Sequence, residues 1–488
     1  MLSYRPYLAP VVAVVALAGC QHVSRQPLDV PAHVEEWRTR DIRIAPIAAL
    51  TGVLAAGGTE VVPSQFDPED GLSLVEAEAI ALWYNPGLRV ARAEAAVALA
   101  RAATAGLFPP PTIEIEGGRM RADSDPGGGM LDRDTREFLS GASHISRSWI
   151  ASGGLSFTLP ISGRLSAERA WRGAGADAAA LGTAAAEWAL LGDFHEAWID
   201  WSAQIHRAAL LEAHLKVVEE FTEGAVRLAG AGELEPGSGR LFEIERGLTR
   251  AQLDEAVHRE REGRLRLLAM AGLSPGVPVQ LLPSVRIHET PDREALPACT
   301  VAVDHPRIAE LKAAYESAER RLRLELRKQY PDIAIGPRFS DQDDETSITL
   351  GLGAPVPVWN LNRAGIAEAV AERDAARVRV YAAYEELAGE LAQREAGLGG
   401  ARAKRMRIEN EVAPLVDTQI AEAQALLHVG EADLALLYNV LTQALDIKMQ
   451  LVDAVADEQI ALARIHSLAT PHRTTISPGE EADDDSNQ

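Results

Sequence analysis

Two stretches of this chain repeat one another at a fixed distance, which limits the fold to a duplicated unit. Asn85-Pro86-Gly87-Leu88 opens a helical pattern that closes at Pro109-Pro110-Pro111, and Thr112-Ile113-Glu114-Ile115 follows. At an offset of 220, His305-Pro306-Arg307-Ile308 opens a second helical pattern, which closes at Pro331-Asp332-Ile333-Ala334-Ile335. Pro86 matches Pro306, Pro111 matches Pro331, and both isoleucine pairs align without a gap. A further match sets Gly154-Leu155-Ser156-Phe157-Thr158-Leu159-Pro160-Ile161 against Gly351-Leu352-Gly353-Ala354-Pro355-Val356-Pro357-Val358, at an offset of 197. The smaller offset puts about 23 extra residues into the first copy, between 118 and 148, where Asp123 to Gly129 reads as a solvated loop. The second copy has a short polar turn there, Ser340 to Glu345.

Each copy therefore reads helix, strand, turn, strand, long helix, tip, helix. Leu155, Phe157 and Leu159 alternate with Ser156 and Thr158, and Ile348, Leu350 and Leu352 alternate with Thr349 and Gly351. One apolar and one polar face suits a membrane barrel, and equally a half-buried soluble hairpin. Four strands cannot close a barrel within one chain, so barrel strands would have to come from several subunits.

The helices are long. Leu165 to Leu228 carries no proline, and Arg363 to about His428 carries only Pro414, a candidate kink. A helix of that length spans about 100 Å. Tyr384, Leu387, Leu391, Leu398, Ile408, Val412 and Leu415 share one heptad seam. The return helix, 431–468, has its own seam: Leu434, Leu437, Leu441, Ala444, Lys448, Leu451, Val455, Glu458, Leu462 and Ile465. With aromatics at 5%, the composition favours helices packed side by side over one thick core. Trp188, Leu191, Trp198 and Ile205 form a packing stripe on the first long helix.

The N-terminus carries an address. Arg5 precedes an apolar run from Tyr7 to Ala18, and Leu17-Ala18-Gly19-Cys20 resembles a lipobox whose cysteine is acylated after cleavage. Gln21 in place of Asp implies, in lipoproteins of that kind, sorting to the outer membrane. Cys299 is the only other cysteine, so the fold has no disulfide staple to rely on and Cys299 receives no role. The net charge of -23 argues against nucleic acid as a partner. No phosphate loop, Gly-x-Ser-x-Gly, His-Glu-x-x-His or Cys-His cluster occurs, so no enzyme activity, metal site or cofactor is expected.

Residues 72–470 together resemble the outer-membrane efflux protein (TolC-like) family. The Asn-Pro and His-Pro helix starts, the two Pro-x-Ile-x-Ile strands and the Leu-x-x-Gly tips carry the resemblance. Val356-Pro357-Val358-Trp359-Asn360-Leu361-Asn362-Arg363-Ala364-Gly365-Ile366-Ala367-Glu368-Ala369 is similar to the strand-to-helix passage of the cation-efflux (cobalt-zinc-cadmium type) branch. The resemblance implies a mainly α fold with a small β part. In it, a homotrimer builds a 12-stranded β-barrel in the outer membrane, continued by a 12-helix α-barrel through the periplasm. It further implies passive export alongside a periplasmic adaptor and an inner-membrane pump, with metal cations as cargo. A drug or secretion duct of the same fold, and a lipid-anchored periplasmic coiled-coil scaffold, are the alternatives.

On this reading the chain divides into a signal peptide (1–19), an N-terminal anchored segment (20–71), two repeats (72–290 and 291–470) and an acidic disordered tail (471–488). Cys20 is the lipidation site. Gly230, Gly232 and Gly430 permit tight helix reversals and would meet the adaptor. Glu243, Glu431 and Asp433 are candidate acids at the mouth or lumen, or simple N-terminal acids that favour the helix dipole. The family often has an acid a few residues beyond the tip glycine, where this chain has Leu436 and Asn439. Phe108, Trp149, Tyr330 and Trp359 are candidate membrane-interface aromatics. His195, His206 and His214 lack the i, i+4 spacing of a helical metal site.

Overall fold

The computed structural model describes residues 24–43, 47, 70–123, 145–230, 240–285, 304–342, 345–355, 360–429 and 434–469. In chain order the elements are α1 (Val30–Arg38), α2 (Leu74–Tyr84), α3 (Pro86–Ala103), β1 (Thr112–Asp123), β2 (Ile145–Leu159), α4 (Arg164–Gly230) and α5 (Arg240–Met270). They continue as α6 (Pro306–Arg327), β3 (Ile333–Gln342), β4 (Glu345–Gly353), α7 (Arg363–Arg407), a π turn (Ile408–Val412), α8 (Ala413–Val429) and α9 (Leu434–Ala469). Helix dominates, and a small sheet caps one end.

The four strands form one antiparallel sheet in the order β1-β2-β3-β4. Backbone pairing outlasts the apolar alternation: β1 runs to Asp123 and β2 starts at Ile145, both inside the stretch expected to be loop. Likewise β3 extends to Gln342 and β4 begins at Glu345, so the expected 340–345 turn shrinks to its middle. The reason is that ladder hydrogen bonds need no apolar side chains once the strands are in register. At the centre β2 and β3 approach closely. A Cβ on Gly336 would lie 1.8 Å from the carbonyl oxygen of Leu155, so only glycine fits there.

The helices nearest the sheet keep its order. α3 packs on α4, α4 on α6, and α6 on α7, and these four are the helices covalently joined to β1, β2, β3 and β4. Further down, the neighbours change: α5 packs on α4, and α9 packs on both α4 and α7. Only α4 and α7 with its continuation run the whole way. At 67 residues α4 spans about 100 Å.

Two residues explain how one set of helices gives way to the other. Asn85 caps α3, its Oδ1 accepting the N–H of Leu88 at 3.0 Å, while its Nδ2 donates to the carbonyl of Met270 at the end of α5, at 2.7 Å. His305 does likewise for α6. Its Nδ1 accepts the N–H of Arg307 at 3.2 Å, and its ring also hydrogen-bonds the backbone of Ser467 near the end of α9. Pro86 and Pro306 follow at the first helical position, where a missing N–H costs nothing. The Asn-Pro and His-Pro pairs thus splice a lower helix end-on to an upper one.

The largest core lies at these joints, around the midpoint of α4, where the composition alone suggested no thick core. α2 is mostly apolar, with Glu76 and Glu78 its only charged residues, and every residue from Leu74 to Leu82 is buried. It packs among Phe194, Trp198, Ile199 and Trp201 of α4, Leu267 and Leu268 of α5, and Leu281 and Val285 beyond it. Leu72 bridges in parallel to Leu281. Gly272 (φ +69°) turns the chain after α5, where a Cβ would strike the carbonyl oxygen of Tyr84 at 2.2 Å. Its own carbonyl accepts from the indole of Trp37, at 3.1 Å, and from Arg40, which ties the N-terminal segment onto this belt.

The seam of α7 also departs from the expected frame. Leu387, Leu391, Leu398 and Ile408 are buried as the heptad predicts, but Leu415 is 70% exposed and Val416 is buried instead. The π turn over Ile408–Val412 inserts one extra residue per turn, so the buried stripe slips by one position. Tyr384, also placed on that seam, is exposed. Pro414 falls just after the π turn, where a missing N–H is readily accommodated. On α9, Leu437, Leu441, Ala444, Glu458, Leu462 and Ile465 are buried as expected, whereas Lys448 is exposed.

Candidate functional site

The register sorts the sheet into two unlike faces. Ile113 pairs with Leu155, Phe157 with Ile335, Pro337 with Leu350 and Phe339 with Ile348, so all of these project on one side. Ile113, Ile115, Phe157, Leu159, Phe339, Ile348, Leu350 and Leu352 are between 43% and 81% exposed. So large an apolar patch is a binding or lipid-facing surface. The other side carries Glu114, Glu116, Ser152, Arg338 and Thr349. Arg338 reaches Glu114 at 2.8 Å and Glu116 at 3.6 Å, and Ser152 donates to Glu116 at 3.1 Å. β1 and β4 are edges with no further strand beside them among the described residues.

At the far end α4 stops at Gly230 and α5 starts at Arg240, while α8 stops at Val429 and α9 starts at Leu434. Just above these ends a small cluster of Phe242, Leu437, Val440 and Leu441, with Val217, Phe221 and Ile420, joins the two helical hairpins. Beside it lies buried Glu245. One carboxylate oxygen faces His214 Nε2 and Thr249 Oγ1, each at 3.4 Å, and the other accepts from the Tyr438 hydroxyl at 3.3 Å. Burial pushes the His214 ring below its ordinary pKa and holds the Tyr438 hydroxyl above its own. Higher on the α4–α9 seam the pairing is ionic: Arg464 with Asp193 and Glu196, and Arg207 with Asp453. Between α7 and α9, Arg402 and Arg405 both reach the buried Glu458, the former at 3.3 Å.

No protein-family model matches the sequence, and no curated protein does. Solved structures do match. The outer-membrane channel OprN aligns with a TM-score of 0.66 at 16% identity, over 82% of this chain and 90% of its own. CusC, described through the conformational changes of its folding and transmembrane channel formation, gives 0.63 at 14% identity, over 82% and 92%. The outer membrane protein VceC of Vibrio cholerae gives 0.63 at 15%, over 81% and 96%. The chain has the TolC-like outer-membrane channel fold.

Within this channel fold the sequence-predicted residues fall in different places. Gly230 is the last residue of α4, and Glu243 is exposed in the first turn of α5. Gly232, Gly430, Glu431 and Asp433 lie outside the described residues, as do Cys20, Trp359 and Cys299. Phe108 and Tyr330 are exposed at helix-to-strand junctions, and Trp149 sits on β2 opposite Arg119, ten residues from the strand end at Leu159. The three histidines of α4 do not converge: His195 meets Glu78 of α2, His206 lines a separate hollow with Leu451 and Val455, and His214 meets Glu245.

Sequence reasoning passed over Arg338, Glu245, Tyr438 and Glu458 as functional groups. Arg338 was legible as a charge in an alternating strand. Glu458 was legible as an acid inside an apolar seam, which requires a buried cation opposite. Glu245 and Tyr438 carry no such signal, because their meeting depends on how two hairpins lie together.

Proposed function

We propose that this chain is the protomer of a homotrimeric outer-membrane channel, through which a pump and a periplasmic adaptor export substrate without covalent chemistry. The carrying observation is the sheet: an exposed apolar face, a charged reverse face, and two free edges, continued by helices in the same order. Free edges are not tolerated in lipid, and three copies side by side would remove them by pairing β4 of one with β1 of the next. From Trp149 to Leu159 the strand covers about 33 Å, or about 25 Å at barrel tilt, which fits an outer-membrane apolar band. No helix among the described residues is long and apolar enough to cross a membrane.

Metal cations are the proposed cargo, supported by the likeness of residues 356–369 to the cation-efflux branch. Acylation at Cys20 would anchor the N-terminal segment in the outer membrane, with Phe108, Trp149, Tyr330 and Trp359 at the interfaces and Gly230, Gly232 and Gly430 at the adaptor-facing ends. Glu243, Glu431 and Asp433 would then surround the mouth.

The decisive experiment is reconstitution. Heat-modifiable trimers in outer-membrane fractions and stepwise conductance in planar bilayers are expected. Monomeric, carbonate-extractable, non-conducting protein would instead establish a periplasmic scaffold. Deleting the gene separates the cargo classes: sensitivity to zinc, cobalt, cadmium or copper is expected, and a change confined to drugs overturns the cation assignment.

A further inference from the structure

We propose that Arg338, laid across the sheet against Glu114 and Glu116, sets which sign of charge passes most readily through the barrel, an assignment that rests on the channel reading above. One row of the sheet carries it. The register places Glu114 opposite Gly154, Gly154 opposite Arg338 and Arg338 opposite Thr349, so four strands present these residues side by side on one face. That face is turned away from the exposed apolar side, and in a closed barrel it lines the lumen.

Arg338 does not stand out from this wall. Its guanidinium crosses β2 to reach Glu114 on β1 at 2.8 Å and lies 3.6 Å from Glu116, whose carboxylate also accepts from Ser152 at 3.1 Å. Gly154 leaves the path open. A Cβ there would already stand 3.9 Å from Arg338 Nε, and a longer side chain would lift the guanidinium off the sheet. All three charged side chains are still about half exposed or more, so they face water. Elsewhere the face is mostly hydroxyl or glycine: Ser156 and Thr158 on β2, Gly336 and Ser340 on β3, Ser347 and Gly351 on β4. Among the described strand residues the other charge on this face is Glu345, about 13 Å further along β4 than Thr349.

Two carboxylates against one guanidinium leave one negative charge per chain at this level, and three chains would leave three in a ring. Twelve strands about 4.8 Å apart, tilted as barrel strands are, close at a radius of about 12 Å. The Debye length at 0.1 M salt is about 10 Å, so the potential of such a ring reaches close to the axis. Cations are favoured there and anions disfavoured, but moderately, because Arg338 offsets half of the carboxylate charge. A guanidinium keeps its charge at any physiological pH, so the offset is permanent. Conduction needs attraction without capture, and a ring held at partial strength supplies it.

Reversal potentials of the full-length protein in planar bilayers, under a potassium chloride gradient around 0.1 M, test this. The wild type should pass potassium in modest preference to chloride. Arg338→Gln should raise that permeability ratio several-fold, Glu114→Gln should lower it, and Glu114→Gln with Glu116→Gln should lower it further, towards anion preference. Arg338→Lys keeps the charge and should keep the wild-type ratio, which separates charge from packing on the wall. All differences should shrink at about 1 M salt, where the Debye length is about 3 Å. Acids at the tips are common to every variant, so the differences belong to the row. Equal ratios in the wild type, Arg338→Gln and the double variant, or an Arg338→Lys that behaves as Arg338→Gln, would overturn the assignment. A wild type without conductance sinks the channel reading and the row with it, whereas conductance with an unmoved ratio sinks the row alone.

Discussion

The two helical hairpins do the same job with different parts. The first runs unbroken through α4 and is joined to the helix above it by Asn85, an amide that does not titrate. The second is interrupted by a π turn and Pro414, and its joint is His305. The first is also the one clamped by the aromatic belt, through Phe194, Trp198 and Trp201. A straight, clamped helix with an inert joint is a fixed reference, while a bent one with a titrating joint can answer to its surroundings. The difference teaches that similar sequence patterns can build one stationary and one adjustable wall element.

The strongest way to break the comparison is to remove the clamp. Trp198→Ala should cost about 3–5 kcal/mol, read as a large fall in the denaturation midpoint of the detergent-solubilised protein. Glu458→Ala should cost a similar or smaller amount, because Arg402 and Arg405 would lose the buried carboxylate they share, with Arg405 keeping Glu409. Its hydrogen-exchange signature should be confined to the second hairpin. Loss spread evenly over both hairpins would mean that they are not separate units.

Asn85→Ala removes a cap and a donor to Met270 together and should cost about 1–2 kcal/mol at every pH. His305→Asn sharpens the contrast between joints. Burial pushes His305 below its ordinary pKa, and its Nδ1 must stay unprotonated to cap α6. The unfolded chain therefore takes up the proton first, and stability is lost as pH falls below about 6.5. Denaturation curves of His305→Asn should match the wild type near pH 8 and exceed it near pH 5.5, and parallel curves would refute the assignment. The smallest effect is expected from deleting Asn410. Removing one residue from the π turn restores ordinary α geometry while leaving Val416 and Ile420 on the seam, so the midpoint should hardly move.

Much of this was readable in the sequence. The alternation of Leu155 to Leu159 and of Ile348 to Leu352 foretold the faces of the sheet, because strand side chains can only alternate. Proline and glycine marked where long helices begin and end. The belt was missed, although α2 advertised it by being apolar along its length apart from Glu76 and Glu78. The slip from Leu415 to Val416 was hidden for another reason: a π turn changes the period itself, and a fixed heptad cannot register that. The Glu245–Tyr438 contact was least legible, since the two residues are 193 positions apart and meet only through tertiary packing.

The change of neighbours halfway down the wall has a mechanical meaning. Only α4 and the α7–α8 line run from sheet to tips, while Asn85 and His305 abut the remaining helices end to end. Torque applied at the tips must therefore pass along these two continuous lines, and of the two only α4 is gripped by the aromatic core, while α7 packs in a separate aliphatic cluster. Twisting of α4 below that grip can be taken up while the part above it stays in register. A helix line held this way could flex at its lower end repeatedly without working the sheet loose.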